Sequence, residues 1–146
     1  MTKLMMPKVD RKLLSKKDTI IANLKKIIRA ENVLDHEDQV RPYETDALTA
    51  YKQKPLTVVF PENTMEVSKI LAYCNKERIK VVPRGAGTGL SGGALPLEDG
   101  ILLCLGKFNK ILEIDYKNRC VVAQPGVTNL SITQAVQDQD FYYAPD

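Results

Sequence analysis

A chain of 146 residues, 44% hydrophobic and 27% charged, is long enough for one domain with a real core and reads as ordinary globular protein, neither disordered nor fibrous. The net charge of +3, spread over interspersed lysines, aspartates and glutamates, is too mild to point to nucleic acid, and no apolar run approaches the length of a membrane span. Three separated cysteines (Cys74, Cys104 and Cys120), no C-x-x-C pair and His36 as the sole histidine argue against a metal site and for reduced thiols in the cytoplasm.

The opening residues lack the apolar core of a secretory signal, and Asp10 with the shortage of serine argues against a mitochondrial one. Residues before about Lys17 are basic and expected to be loose. From Asp18, a plausible N-cap, the positions Ile20, Ile21, Leu24, Ile27 and Ile28 recur at helical spacing, with Asn32 as a plausible stop. Core packing explains that stripe better than a membrane surface does. Asp35 to Pro55 shows no clean period and predicts an irregular connection with at most one short helix. His36, among acids and without a second imidazole, reads as a solvated surface group.

Leu56 to Phe60 is a short β-rich run closed by Pro61. Asn63 and Glu66 have capping-box spacing, and Val67, Ile70, Leu71 and Cys74 share one face of the helix that follows. Ile79 to Pro83 is a second strand, so strand, helix and strand form a βαβ unit with parallel strands. Ile101 to Leu105 reads as a buried strand. Ile111–Asp115 and Cys120–Gln124 flank a turn and predict a hairpin. Gly126 is a candidate for close backbone approach to a ligand. Asn129 or Ser131 can cap a last helix to about Gln139, before the apolar, aromatic end Phe141 to Asp146.

Between the second strand and the third lies Pro83-Arg84-Gly85-Ala86-Gly87-Thr88-Gly89-Leu90-Ser91-Gly92-Gly93, which holds five of the eight glycines. Successive N–H groups in such a run converge into a nest for an anion, Thr88 and Ser91 add hydroxyls, and Arg84 brings a guanidinium suited to phosphate. The reading is a diphosphate cradle at the end of a strand, where α/β sheets bind ligands; the alternative is a tight turn with no ligand. A Walker A loop is excluded, because no lysine occurs between Pro83 and Gly106. Gly87, Gly89 and Gly92 do spell G-x-G-x-x-G, but Pro96 and Gly100 forbid the helix that a Rossmann fingerprint must open.

The string Val82 to Pro96 resembles the FAD-pyrophosphate loop of the vanillyl-alcohol-oxidase/PCMH-type flavoproteins, on their glycolate oxidase and D-lactate dehydrogenase branch. The resemblance extends to Tyr43–Asp46, Pro55–Pro61, Phe108–Ile111, Gln124–Val127 and Tyr142–Asp146, and so to nearly all of the chain after about residue 18. It implies an α+β (α/β-like) fold, the βαβ-containing first lobe of a PCMH-type FAD-binding domain, with residues 1–54 as a helical segment and connection and 55–146 as the first part of that domain. It implies FAD as cofactor. Pro83, Arg84, Gly85, Ala86, Gly87 and Thr88 would hold the pyrophosphate, with Gly89, Ser91 and Gly92 completing the loop. Gly126 would lie against the flavin or its ribityl chain, and Asp146 at the entry of the next cofactor turn. The implied reaction is oxidation of a small 2-hydroxy acid, with companion subunits taking the electrons onward and a peripheral place at the inner membrane through them. The base, the cations that bind the substrate carboxylate and any metal ligands lie outside these 146 residues, so no catalytic residue is expected here and the piece alone is expected to be inactive. Another FAD-linked oxidase, or a non-catalytic fragment, is the alternative.

Overall fold

The computed structural model describes residues 6–145. Asp10 caps one helical turn, α1 (Arg11–Leu14), by accepting the N–H of Lys12 at 2.8 Å. This segment is not loose. The Asp10 N–H donates to Asp99 Oδ2 at 2.7 Å, Lys80 Nζ reaches the same oxygen at 2.7 Å, and Leu13 is buried in the core. A three-way polar clamp between distant residues thus holds what local sequence alone left free. Residues 1–5 of that stretch lie outside the described residues.

The amphipathic helix is α2 (Lys17–Ile27), which buries Ile20, Ile21 and Leu24, with Ile28 buried just past its end. Lys16 rather than Asp18 takes the N-cap position, and Asp18 sits in the first turn, where a carboxylate suits the positive end of the helix dipole. The helix stops at Ile28, where the backbone turns extended, four residues earlier than Asn32 suggests. A two-residue strand, β1 (Val33–Leu34), follows, then the short helix α3 (Glu37–Val40) and a 3-10 turn over Arg41–Tyr43. The His36 side chain is exposed.

Next come β2 (Thr57–Val59) and α4 (Thr64–Glu77). Asn63 Oδ1 accepts the Glu66 N–H at 2.9 Å, while Glu66 Oε2 reaches back to the Glu62 N–H at 2.7 Å. The capping pair forms, with its return arm one residue further back than a capping box places it. Helix α4 turns Ile70 and Cys74 into the core with Val67 and Tyr73 beside them; Leu71, expected on that face, is 46% exposed. Arg78, left-handed at φ 59°, ends the helix.

Strands β3 (Lys80–Arg84) and β4 (Gly100–Cys104) complete a sheet in the order β1-β2-β4-β3. Strands β2 and β3 both pair parallel with β4, which lies between them, so the βαβ strands are parallel without being neighbours. All five residues of β4 are buried, as suits a strand with a partner on either side and cover on both faces. Val59, Ile101 and Leu103 face α2 and α4; Val58, Val82, Leu102 and Cys104 face Val40, Tyr43 and Phe60.

The hairpin forms as predicted from β5 (Ile111–Asp115) and β6 (Cys120–Ala123), paired antiparallel. Helix α5 (Asn129–Val136) follows, capped by Thr128, whose hydroxyl accepts the Ser131 N–H at 3.1 Å, rather than by Asn129 or Ser131. Cys74 and Cys104 are buried free thiols and Cys120 an exposed one. Among the described residues no helix is long and apolar enough to cross a membrane. The architecture is the mixed α/β one expected, a mixed sheet with helices plus a separate hairpin.

Candidate cofactor-binding site

Strand β3 delivers the glycine loop at the carboxyl end of the sheet, and no helix follows it: residues 85–99 are turns, bends and coil. The G-x-G-x-x-G string therefore has no helix to open, which removes the Rossmann reading. Gly87 and Gly92 both sit at φ 73°, a region that L side chains rarely adopt. From Gly85 to Ala94 no backbone N–H donates to any acceptor among the described residues. None of these residues is buried, so the run is open to solvent or to a ligand. Uncommitted donors in a glycine-rich run suit an anion.

The loop is nonetheless held in place. Its far end folds back so that Arg84 Nη2 donates to Ala94 O at 2.6 Å and Nε to the same oxygen at 3.2 Å. Arg84 is only 7% exposed. The guanidinium expected to meet phosphate is instead spent on the loop's own base, because the two loop ends lie side by side and a carbonyl there needs a donor. The Ala47 N–H holds Gly87 O at 2.9 Å from the other side. A side chain at Gly87 would start 3.3 Å from Arg84 Cδ, tight against that brace as well as strained in φ.

Beside the loop is a cleft of about 380 Å³ walled by Arg84, Gly85, Ala86 and Gly87 and by Tyr43, Asp46, Phe60 and Cys104. Tyr43 and Phe60 meet edge to face at 5.8 Å. Burial raises the Tyr43 hydroxyl above its ordinary value, with Cys104 adding to it, and pushes the Cys104 thiol up to about 11 although Arg84 opposes this. Both groups are therefore neutral near pH 7, and Cys104 is no nucleophile. The other ionisable side chains on the wall are Arg84 and Asp46. Arrayed amides with little free charge suit a bound diphosphate, which brings its own charge and needs donors rather than acids.

Of the residues expected to form the site, Arg84, Gly85, Ala86 and Gly87 wall the cleft; Pro83 is in β3 opposite Leu103, and Thr88, Gly89, Ser91 and Gly92 run on along the outer loop. Gly126 is not on the cleft. A Cβ there would stand 2.6 Å from Leu105 O and 2.7 Å from Phe108 O, and its N–H donates to Phe108 O at 2.7 Å. The close approach expected at Gly126 is real, but its partner in the structure is the chain's own backbone between β4 and β5. Asp146 lies outside the described residues. Tyr43, Asp46 and Phe60 were not among the expected site residues. Their sequence signals were the string Tyr43–Asp46, which has no period of its own, and for Phe60 the β-rich run that ends on it.

The uncommitted amides beside the cleft suit the phosphates of a dinucleotide, and comparison with known proteins gives the family. Residues 55–146 match the family model described as FAD binding domain. The glycolate oxidase subunit GlcD of Escherichia coli strain K12 is 45% identical over 141 residues, which are 97% of this chain and 27% of that protein. The mitochondrial D-2-hydroxyglutarate dehydrogenase of Arabidopsis thaliana is 36% identical over 106 residues, 73% of this chain and 19% of that protein. Among solved structures, the 4-ethylphenol oxidase of Gulosibacter chungangensis superposes with a TM-score of 0.77 at 28% identity, covering 94% of this chain and 27% of that one. The p-cresol methylhydroxylase structure gives 0.74 at 25% identity, over 90% and 26%. The chain thus spans about a quarter of the length of these relatives, and within that quarter both the pattern of residues and the path of the backbone agree: it belongs to the FAD-binding domain family of PCMH type.

Proposed function

We propose that this chain supplies the pyrophosphate-gripping lobe of a flavin-dependent 2-hydroxy-acid oxidoreductase that oxidises glycolate or D-lactate to the 2-oxo acid. The observation that carries the reading is the unbroken row of uncommitted N–H groups from Gly85 to Ala94. The amides of Gly85 to Thr88 hold the diphosphate, Gly89, Ser91 and Gly92 complete the curve, and Pro83 and Arg84 fix where it begins. The assignment of Gly126 and Asp146 to the flavin side rests on resemblance alone. Bound FAD supplies the hydride acceptor; what the residues here do is bind, orient and anchor it. Substrate choice within the 2-hydroxy acids rests on the similarity to the glycolate oxidase subunit and to the D-2-hydroxyglutarate dehydrogenase. Companion subunits as electron acceptors, and a cytoplasmic site touching the inner membrane through them, belong to the same proposal.

The test is to purify the chain free of flavin, titrate it with FAD and follow quenching of flavin fluorescence. Saturable quenching is expected, with Gly87→Val abolishing it, because the new side chain meets both a forbidden φ and the Arg84 brace. Flavin binding unchanged in that variant overturns the cradle. Glycolate-dependent dye reduction by these residues alone is expected to be negligible; brisk turnover would overturn the assignment of the chemistry to groups elsewhere.

A further inference from the structure

One side chain on the cleft wall carries a buried oxygen without a hydrogen-bond partner among the described residues. Asp46 is 6% exposed, and its Oδ2 is shut off from solvent with no hydrogen-bond donor among the described residues. A buried carboxylate oxygen left bare is costly, more so than a neutral acceptor. The side chain is not free to swing out, because Oδ1 accepts the Leu48 N–H at 3.0 Å and the next residue is tied to the loop through Ala47 N–H to Gly87 O at 2.9 Å. Asp46, with one orphaned acceptor, and Gly85 to Gly87, with uncommitted amides, line the same small cleft.

We infer that Asp46 is a positioning residue for the cradle: when the loop grips an anion, one N–H of Gly85–Gly87 turns onto Asp46 Oδ2, and the remaining amides are thereby aimed at the anion. This deepens the FAD-cradle reading and rests on it. The loop amides are uncommitted donors on the same cleft as Asp46, whereas a hydroxyl of the ligand has no open path to an oxygen without accessible surface. Charge points the same way, since a carboxylate standing directly against a phosphate would repel it, while one behind an amide strengthens that amide's orientation.

The test uses Asp46→Asn in the whole chain. The amide oxygen still accepts from the Leu48 N–H, but the NH2 group now stands where the loop needs an acceptor. With FAD followed by fluorescence, and inorganic pyrophosphate as the competing probe, the variant is expected to bind both about 10- to 100-fold more weakly, the range of a hydrogen bond to a charged group. Its urea-unfolding midpoint is expected to match that of the parent. Hydrogen exchange supplies a readout independent of affinity: FAD at saturation is expected to slow the Gly85–Gly87 amides less in the variant than in the parent. Weakened FAD binding with unchanged pyrophosphate binding overturns the inference, because the carboxylate then meets the nucleoside instead. Parent-like binding of both ligands by Asp46→Asn, with Gly87→Val inactive in binding, overturns it while leaving the cradle standing. Failure of the parent chain to bind FAD at all defeats the cradle reading first and the role of Asp46 with it.

Discussion

The four-stranded sheet buries every residue of β2 and β4, whereas the β5–β6 hairpin buries none of its strand residues. The strands look alike on paper: Ile101-Leu102-Leu103 and Ile111-Leu112-Glu113-Ile114 are both short apolar runs. What differs is cover. Helices α2 and α4 close one face of the first sheet, and Val40, Tyr43 and Phe60 close the other. Around the hairpin, Leu112, Val122, Leu130 and Tyr142 stay exposed, and Val136 is the only large apolar side chain of α5 that is buried. Burial follows from what lies opposite a strand, and stability follows from burial. The sheet that carries the glycine loop is therefore the stable part of the chain, and the cleft is built on it.

The sharpest way to break this contrast is a matched pair of truncations. Leu102→Ala, at a fully buried position in β4, is expected to cost about 2–5 kcal/mol in urea unfolding, and Val122→Ala in β6 to stay within about 0.5 kcal/mol. Equal losses would show that the hairpin shares the core. At the junction, Gly126→Ala places a methyl group 2.6 Å from a backbone oxygen that no side-chain movement relieves. A loss of about 1–3 kcal/mol is expected, with faster hydrogen exchange confined to the hairpin and α5. An unaffected hairpin would mean the junction yields freely.

Asp99→Asn probes the first region through pH. Burial raises the Asp99 carboxyl, but the Lys80 ammonium and the Asp10 N–H outweigh it and hold the group below its ordinary range. A folded-state value below the unfolded one stabilises the fold above about pH 4, and that contribution fades as pH falls through the folded-state value. The variant is expected to be about 1–3 kcal/mol less stable than the parent at pH 7, with the gap closing in acid. A gap that does not change with pH would remove the clamp from the account. The smallest effect is chemical. Burial pushes Cys74 and Cys104 up to about 11, so in the native chain a thiol reagent at pH 7 is expected to modify Cys120 alone and, after denaturation, all three cysteines.

Local signals were legible in the sequence. Helix α4 was readable from Asn63, Glu66 and its apolar stripe because cap and stripe lie within one segment. The hairpin and the buried β4 were readable for the same reason. Helix α1 was not, since it depends on Asp99 and Lys80, some ninety and seventy residues away in the chain. Nor was β1, two residues long and defined by pairing with β2. Leu71 kept the helical period yet faces solvent, while Val67, Ile70, Tyr73 and Cys74 of the same helix pack in the core. In the cleft, the loop glycines were visible as composition, but the turning of Arg84 to Ala94 and the burial of Asp46 are tertiary facts without a local pattern.

The Arg84 brace has one more consequence. By clasping the carbonyl ten residues ahead, it closes the loop into a ring when the chain folds, so that the entropy of closure is lost then rather than at the moment of encounter. A hollow shaped in advance meets an arriving diphosphate with only small peptide rotations left to make, and capture is expected to run at the speed of collision instead of waiting for a loose strap to find its form.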